Sequence, residues 1–314
     1  MFKIGGVSID VSHPLAFAQR FENGVADMQY HYVAKNSFRG DDEADWFVKR
    51  FGLAGKVENI EEMADKVDIG FVQSCNWEKH LDQAMPFIKA NKPVFIDKPV
   101  VGTVKDINRL RELSEAGAKI YGGSSLRYCK EINEFLALDV EERGEVMSIY
   151  CTCGLDEFNY AIHAMEGITT LAGAKFKSGK YVGASDVGGK HTETFFATFD
   201  NGVQATFSVT HGSWYPFRVT VMTTKGVHYL AVGTADLYTP MLQEIEKQLR
   251  CGESALVSVD WIINSTEAML CLKKSRDNLA GAEVSIDMLD ESDAFDGYAF
   301  EIDYGSKASK MYKD

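Results

Sequence analysis

The segment Pro93-Val94-Phe95-Ile96-Asp97-Lys98-Pro99 is the part of the sequence most informative about the fold. Its four leading residues form an apolar run of strand length, and Pro99 holds Lys98 extended and stops the strand. Similar runs precede it at Lys3 to Ile9 and Val67 to Val72, with helical patterns between them. Such alternation is typical of βαβ units around a parallel sheet.

Working outward, the same alternation accounts for residues 1–122 and predicts an N-terminal Rossmann-type domain with a doubly wound parallel sheet. Ser suits a helix N-cap and Pro the first helical turn, so Ser12-His13-Pro14 is expected to begin a helix. The other predicted elements are strands at Tyr30 to Ala34 and Lys119 to Gly123, and helices at Asp41 to Phe51, Ile60 to Ala64, Glu78 to Ala90 and Val104 to Glu115.

Beyond residue 122 the pattern changes. Residues 123–314 are predicted to form a C-terminal α+β domain with a mainly antiparallel open sheet, which makes the whole chain α/β. The predicted elements are a helix near Ile132 to Leu136, a strand at Val146 to Cys153, a helix containing His163, and hairpin-linked strands at Thr192 to Phe199, Gly202 to Thr210, Phe217 to Thr223 and Val227 to Val232.

Composition limits the possible partners. The 314 residues carry a formal charge of -13, which repels phosphate backbones and anionic lipid, so neither nucleic-acid nor membrane binding is expected. The first residues resemble no signal peptide, and the expected location is cytoplasmic. Six scattered cysteines predict reduced thiols, and Cys151 and Cys153 lack a second ligand pair at zinc spacing, so no metal is expected.

Three strand ends are candidate sites, because parallel α/β sheets bind ligands beyond the carboxyl ends of their strands. They are Ser8 to His13, Gln73 to Asn76 and Asp97 to Pro99. At the third, Lys98 is either a solvated lysine at a turn or an ammonium group that polarises a substrate oxygen and shares in its proton transfer.

His163 is the second candidate for proton transfer. Asn159 lies four residues before it, which would put both side chains on one helix face. An imidazole titrates near neutrality, so His163 can act as a general acid or base; the alternative is a hydrogen-bonded histidine at a domain contact.

Taken together, these segments resemble the Gfo/Idh/MocA family, named for glucose-fructose oxidoreductase, inositol dehydrogenase and a rhizopine-catabolism protein. The resemblance is collinear over nearly the whole chain. It is carried by Asn59 to Met63, Gln73-Ser74-Cys75-Asn76 with His80, Asp97-Lys98-Pro99, Leu126-Arg127-Tyr128, His163 with Glu166, Asn201 to Ala205 and Leu249 to Glu253.

The resemblance implies an NAD(P)-dependent oxidoreductase that moves a hydride between nicotinamide and a sugar, polyol or inositol. Lys98 and His163 would be its catalytic residues, with Asn159 beside them as a hydrogen-bonding group that cannot act as a base. Arg127 and Tyr160 would join Lys98 and His163 in binding substrate. A homodimer or homotetramer formed through the C-terminal sheet is also implied.

The cofactor loop departs from the family pattern. Ser8, Asp10 and His13 stand where the family has Gly-x-Gly-x-x-Gly, and an aspartate beside a pyrophosphate is electrostatically unfavourable. No acidic residue follows the second strand to hold the ribose of NAD. Lys35 and Arg39 at this position would instead meet the 2′-phosphate of NADP, which favours NADP as the cofactor. The implied cofactor-binding residues are Ser8, Asp10, Ser12, His13, Asn36, Arg39, Ser74, Asn76, His80, Asp97 and Lys98.

Two other functions remain open. One is a glycosidase that uses transient oxidation by tightly bound NAD, as some similar proteins do. The other is a non-catalytic binding or regulatory protein that keeps the fold without the phosphate loop. Lys98, Arg127 and His163 argue against the second alternative, while Ser8, Asp10 and His13 argue for it.

Overall fold

The computed structural model describes residues 1–34 and 38–313, which form two compact units. Unit 1 contains Met1–Gly123, Met241–Val259 and the segment from Asp296 onward, and unit 2 contains Ser124–Pro240 and Asp260–Phe295. The sequence pattern assigns all of 123–314 to one domain, whereas two later segments of that range cluster with unit 1.

The first 123 residues build the parallel sheet of unit 1. Its strands are β1 (Phe2–Val7), β2 (Met28–Ala34), β3 (Gly55–Val57), β4 (Ile69–Val72), β5 (Val94–Asp97) and β6 (Ile120–Gly123), and its helices are α1 (His13–Glu22), α2 (Asp41–Phe51), α3 (Ile60–Ala64), α4 (His80–Lys89) and α5 (Val104–Glu115). Among the described residues, the strand order is β3-β2-β1-β4-β5-β6 with every pair parallel. The Rossmann-type prediction is confirmed.

Aromatic side chains fill the space between this sheet and its helices. Phe71 of β4 contacts Phe17, Tyr30 and Phe95 with ring centroids 5.0–6.3 Å apart, and all four are at most 1% exposed. Such pairs stabilise a core beyond the area that they bury. The packing fixes the strand ends from which the candidate side chains extend.

Several element ends in unit 1 differ from the sequence expectation by up to two residues; β2, for example, begins at Met28 and not at Tyr30. The first strand ends at Val7, two residues early, because Ser8 takes a left-handed φ of 71° that no strand accommodates. The predicted helix from Glu78 begins as a 3-10 turn over Trp77–Lys79 and becomes α-helical at His80.

The rest of the chain adds β7 (Val146–Leu155), β8 (Phe176–Val187), β9 (Lys190–Phe199), β10 (Gln204–His211), β11 (Arg218–Thr223), β12 (Gly226–Ala231) and β13 (Val284–Ser285), with α6 (Lys130–Ala137), α7 (Val140–Arg143), α8 (Ala161–Ala172), α9 (Thr239–Cys251), α10 (Val259–Asn278) and α11 (Gly297–Lys307). In the described part of unit 2 the sheet order is β12-β11-β7-β10-β9-β8-β13. Only the β7–β10 pair of this sheet is parallel, so the mainly antiparallel prediction is confirmed.

One predicted hairpin of unit 2 is wrong. The strands at Gly202 to Thr210 and Phe217 to Thr223 are not neighbours, because β7 lies between β10 and β11 and pairs with both. Strand β8 has no counterpart in the prediction.

Cys151 and Cys153 of β7 are each 1% exposed, and burial raises the pKa of the Cys151 thiol to about 12.

Helix α10 packs against β8 through polar side chains as well as apolar ones. Asn264 exchanges two hydrogen bonds with the backbone of Phe176, at 2.7 and 3.2 Å, and Ser275 Oγ accepts one from the Tyr181 N–H at 3.0 Å.

Over the ranges 1–34 and 38–313, no helix is both long and apolar enough to cross a membrane.

Candidate functional site

The loop between β1 and α1 begins the candidate cofactor edge of unit 1. Ser8 and Asp10 are fully buried, and His13 is 8% exposed at the start of α1. Ser12 is the N-cap of α1, as expected, but its side chain makes no capping hydrogen bond. The Ala16 N–H donates to the Ser12 carbonyl at 3.0 Å. A helix N-terminus is a common place for an anion to bind.

Two buried oxygen atoms of this loop have no hydrogen-bond partner among the described residues: Ser8 Oγ and Asp10 Oδ1. The other Asp10 oxygen, Oδ2, accepts from the Cys75 N–H at 2.9 Å. A buried polar atom without a partner costs free energy, so such atoms mark positions where function or a ligand can explain the cost.

His13 and Asp97 connect this loop to the end of β5. His13 Nδ1 lies 2.6 Å from Asp97 Oδ2, and Asp97 Oδ1 accepts from the Lys98 N–H at 2.8 Å. Burial raises the pKa of Asp97, but the charge and hydrogen bond of His13, with the contribution of Lys98, outweigh burial and lower the pKa. The predicted cofactor residues His13 and Asp97 are thus brought together as a buried pair.

Lys98 follows β5 and is half-buried, and its peptide bond to Pro99 is cis. The sequence predicted the end of the strand but not this isomer, because Lys-Pro is compatible with either. The cationic side chain thus starts at the carboxyl edge of the sheet, as the sequence predicts.

The loop after β4 carries the other predicted cofactor residues of unit 1. Asn76 is fully buried; its Oδ1 caps the 3-10 turn by accepting from the Glu78 N–H at 3.0 Å. Ser74 Oγ donates to Gln83 at 2.7 Å. His80 Nε2 lies 2.8 Å from the Ser74 carbonyl oxygen and Nδ1 lies 3.1 Å from the Val100 carbonyl oxygen, so the ring links the two loops; burial lowers the pKa of His80.

Lys79, absent from the sequence prediction, adds a cation beside Asn76. Glu301 of α11 accepts from Lys79 Nζ at 2.6 and 2.7 Å and from Asn76 Nδ2 at 3.0 Å. Lys79 lies three residues after Asn76 on the 3-10 turn, which is a spacing that places side chains on one side. That spacing is the signal that could have found it.

Arg39 was predicted to meet a 2′-phosphate, but its guanidinium makes contacts within unit 1. It is 3% exposed; its Nε donates to the Asp10 carbonyl at 2.8 Å and its Nη1 to Glu43 at 3.0 Å. Asn36, with Lys35, lies outside the described residues. The predicted lean towards NADP therefore gains no support from Arg39.

In unit 2, His163 of α8 is 6% exposed and its Nδ1 lies 2.6 Å from Ser124 Oγ. The aromatic rings of Tyr160 and Phe217 flank the imidazole, each with its centroid 5.7 Å away. Ser124 also accepts from the Leu126 N–H at 3.0 Å, which fixes the hydroxyl and hence the ring that it contacts. The sequence prediction missed Ser124; its position after a glycine at the end of the last Rossmann strand was the available signal.

The geometry expected for Asn159 is wrong. Asn159 lies in the turn at 157–160, before α8 begins at Ala161, so it shares no helix face with His163. The Asp156 side chain accepts hydrogen bonds from the Phe158 and Tyr160 N–H groups. These bonds hold a turn before the helix, so α8 begins only at Ala161. Asn159 is 9% exposed and Tyr160 is partly exposed at the same turn.

Arg127, predicted to bind substrate, lies in a buried ion pair. Its Nε donates to Glu166 at 2.6 Å and its Nη2 donates to Ser265 at 2.7 Å, and Arg127 and Glu166 are 2% and 1% exposed. Glu166 also accepts from the Ser124 N–H at 2.9 Å. Glu166 therefore links Arg127 to the Ser124 backbone, and the role of Arg127 in substrate binding stays a prediction.

A further polar cluster of unit 2 was not predicted. His191, Glu193 and His211 place potential ligand atoms within 4.8 Å of one another. Glu193 already accepts from Arg276 at 3.0 Å and lies 2.8 Å from His211 Nε2. The hydrogen bond to Glu193 raises the pKa of His211 despite partial burial, so ion pairing satisfies this cluster.

The donors at the edge of unit 1 fit the anionic part of a dinucleotide. Ser8 Oγ lacks a partner in the described chain and lies shortly before the N-terminus of α1, and Asn76 and Lys79 already hold a carboxylate. Asp10 is the unfavourable member, because its carboxylate repels a phosphate.

An all-parallel sheet in this strand order, followed by a mainly antiparallel sheet, defines a two-unit α/β protein of the dinucleotide-binding Rossmann class. Residues 19–122 match the model of the Gfo/Idh/MocA family, an oxidoreductase family with an NAD-binding Rossmann fold. The predicted resemblance to this family is confirmed over residues 19–122.

Solved structures share the fold over most of the chain. A scyllo-inositol dehydrogenase from Lactobacillus casei with bound NAD(H) and scyllo-inositol is 16% identical, with 91% of this chain and 99% of that chain covered and a TM-score of 0.76. A myo-inositol dehydrogenase from Lactobacillus casei, in complex with NAD(H) and myo-inositol, is 15% identical over 92% and 98%, with a TM-score of 0.77. A probable dehydrogenase from Thermotoga maritima is 16% identical over 91% and 99%, with a TM-score of 0.76. No curated protein matches the sequence.

Proposed function

We propose that this protein is an NAD(P)-dependent oxidoreductase that moves a hydride between nicotinamide and a CH–OH carbon of a polyol or sugar, with inositols as the first candidates. The observation that carries the proposal is Lys98, a lysine directly after β5 at the carboxyl edge of a Rossmann sheet. The family match and the two inositol dehydrogenases of the same fold support the substrate class.

The bound cofactor would supply the hydride acceptor or donor, and the chain would handle binding and the proton. We assign to Lys98 a hydrogen bond to the reacting oxygen, which stabilises the negative charge that develops there. His163 would give or take the hydroxyl proton, with Ser124 orienting its ring. Asn159 and Tyr160 would bind other parts of the substrate.

The choice between NAD and NADP depends on the side chain that would contact the ribose or its 2′-phosphate. The sequence suggested Arg39 as the partner of a 2′-phosphate, but the Arg39 guanidinium is already paired with the Glu43 carboxylate. Both NAD and NADP therefore belong in the test.

A second candidate function is a non-catalytic binding protein, and Asp10 is the observation that favours it. A buried carboxylate at the position of the second loop glycine opposes pyrophosphate binding. The glycosidase alternative is distinguished by its chemistry, because it would cleave a glycoside without net reduction of free cofactor.

The test of the proposal is turnover of the purified chain on myo-inositol, scyllo-inositol, glucose and an aryl glycoside, each with NAD and with NADP. The proposal expects reduced nicotinamide to accumulate with at least one of the polyols or sugars. Release of the aryl group without net reduction would favour the glycosidase. Absence of both reactions, together with no dinucleotide binding, would favour the non-catalytic alternative.

A further inference from the structure

Residues 297–313 contact the candidate cofactor edge of unit 1. We propose that residues 297–313 occupy the place of the dinucleotide, with Glu301 standing where a cofactor phosphate binds, and that this segment must move before the cofactor can enter. The inference rests on the proposed function, because it concerns the same cofactor.

Helix α11 is anchored on the turn after β4. The Gly297 N–H donates to Glu78 at 2.8 Å, and the Trp77 and Phe300 rings lie 5.1 Å apart. A Cβ on Gly297 would come within 2.3 Å of Asn76 Oδ1, so only glycine permits this approach. The helix therefore contacts the loop that a dinucleotide would need.

The tail after α11 closes over the loop between β1 and α1. Tyr312 is 2% exposed, its hydroxyl donates to the Val11 carbonyl at 2.9 Å, and its ring packs on Phe47 at 5.6 Å. Glu43 accepts from the Met311 and Tyr312 N–H groups at 2.9 and 3.2 Å. Tyr312 thus anchors the tail beside the position expected for the pyrophosphate.

Glu301 is an anion in a site built for one. Its carboxylate takes one hydrogen bond from an amide that is fully buried and two contacts from an ammonium group, beside the end of β4. Phosphate oxygens and carboxylate oxygens are recognised by the same donors. Release of Glu301 would leave Asn76 Nδ2 and Lys79 Nζ available to the cofactor and would remove one negative charge from the neighbourhood of Asp10 and Cys75.

The burial of the predicted cofactor-binding residues is incompatible with cofactor binding while this segment is in place. Ser8, Asp10 and Asn76 have no solvent-accessible surface while the segment is in place. A ligand that binds only a minor open state has its affinity reduced by the population of that state. If the segment is closed about 99% of the time, the apparent Kd is raised about 100-fold.

The experiment compares full-length wild type with Tyr312→Ala and Glu301→Gln, and uses Ile302→Ala as the matched control, because Ile302 is 74% exposed on the same helix. Binding of NADH and NADPH is measured by titration calorimetry, after circular dichroism has established folding. We expect both test variants to bind one dinucleotide at least about 10-fold more tightly than wild type and Ile302→Ala. Adding Lys79→Gln to Tyr312→Ala should reverse most of that gain.

Hydrogen exchange gives a second readout that needs no turnover. Cofactor added to wild type should accelerate exchange of the Met311 and Tyr312 amides, which are hydrogen-bonded to Glu43 in the closed state. Equal affinity in wild type and both variants, with unchanged exchange, would overturn the inference and leave the proposed function intact. Failure of every folded variant to bind either dinucleotide would overturn both.

Discussion

At the scale of single residues, Lys98 is the side chain on which the proposed chemistry depends most. Replacement by Ala removes the ammonium group but leaves the Asp97–His13 pair and the strand unchanged. We expect cofactor affinity to be kept and turnover to fall at least ~100-fold, which is the loss typical of a positioned proton-transfer group. Steady-state kinetics with a calorimetric Kd measures both quantities. Unchanged turnover would remove Lys98 from the mechanism.

Ser124 provides a sharper test of the histidine. Ser124→Ala removes the hydroxyl that lies 2.6 Å from His163 Nδ1, whereas Ser125→Ala removes a buried hydroxyl with no partner among the described residues. We expect the first change to lower kcat about 10-fold or more and to shift the pH profile of kcat, with little effect on KM. Equal kcat and pH profile in the two variants would mean that Ser124 does not position His163.

The candidate site was only partly predictable at this scale. Lys98, His163, Asn76 and His13 could be identified because each stands at a predicted strand end or in a family motif. Ser124 and Lys79 were missed although their positions in the sequence gave a signal, and the position of Asn159 could not be predicted because it depends on turn geometry. The Asp156 side chain, for example, delays the start of α8 past Asn159.

At the scale of elements, the apolar runs predicted most strands and helices to within about two residues, and α2 and α5 to the residue. Strand β8 was missed because its second half is exposed and contains glycine where the prediction seeks alternation. The placement of β7 between β10 and β11 was missed because pairing between distant strands leaves no local signal.

The pair that His211 of β10 forms with Glu193 of β9 predicts how the stability of the sheet depends on pH. The hydrogen bond to Glu193 raises the pKa of His211 above its ordinary value of 6.5. This stabilisation is fully present below pH 6.5, the unfolded value, and is lost as pH rises through the folded pKa. NMR titration of His211 should give a midpoint above 6.5, and Glu193→Gln should lower it. A wild-type midpoint at or below 6.5 would contradict the pairing.

At the scale of the whole molecule, the outer face of the unit 2 sheet is the candidate for self-association. Tyr150 on β7 and Tyr229 on β12 are 44% and 66% exposed, and both pair in register with Thr220 of β11. Trp214 and Tyr215, in the segment between β10 and β11, are 56% and 40% exposed. Exposed aromatic side chains on one sheet are typical of interfaces.

We therefore expect a homodimer or homotetramer that Tyr150→Lys dissociates, because a charge on this face would be buried without a partner. Light scattering coupled to size-exclusion chromatography measures the mass, and Val140→Lys, at a 50% exposed position of α7, is the matched control. A wild type that is monomeric at micromolar concentration would refute the prediction.

The paths of the later segments were the least predictable feature of the molecule. Nothing local in residues 296–313 indicates that Tyr312 is buried beside Val11 or that Glu301 lies on Lys79, since these contacts join residues more than 200 positions apart. The sequence identified an unusual cofactor loop, and the structure adds the segment that covers it. Both features bear on the same question, which is whether nicotinamide chemistry takes place here.

Isotope transfer answers that question most directly. Wild type and Tyr312→Ala would be incubated with NAD or NADP and inositol that carries deuterium on its ring carbons, and the reduced cofactor analysed by mass spectrometry. We expect one deuterium in the reduced nicotinamide, and we expect Tyr312→Ala to form this product faster than wild type. Dinucleotide that binds but never acquires deuterium from any polyol or sugar offered would contradict this expectation.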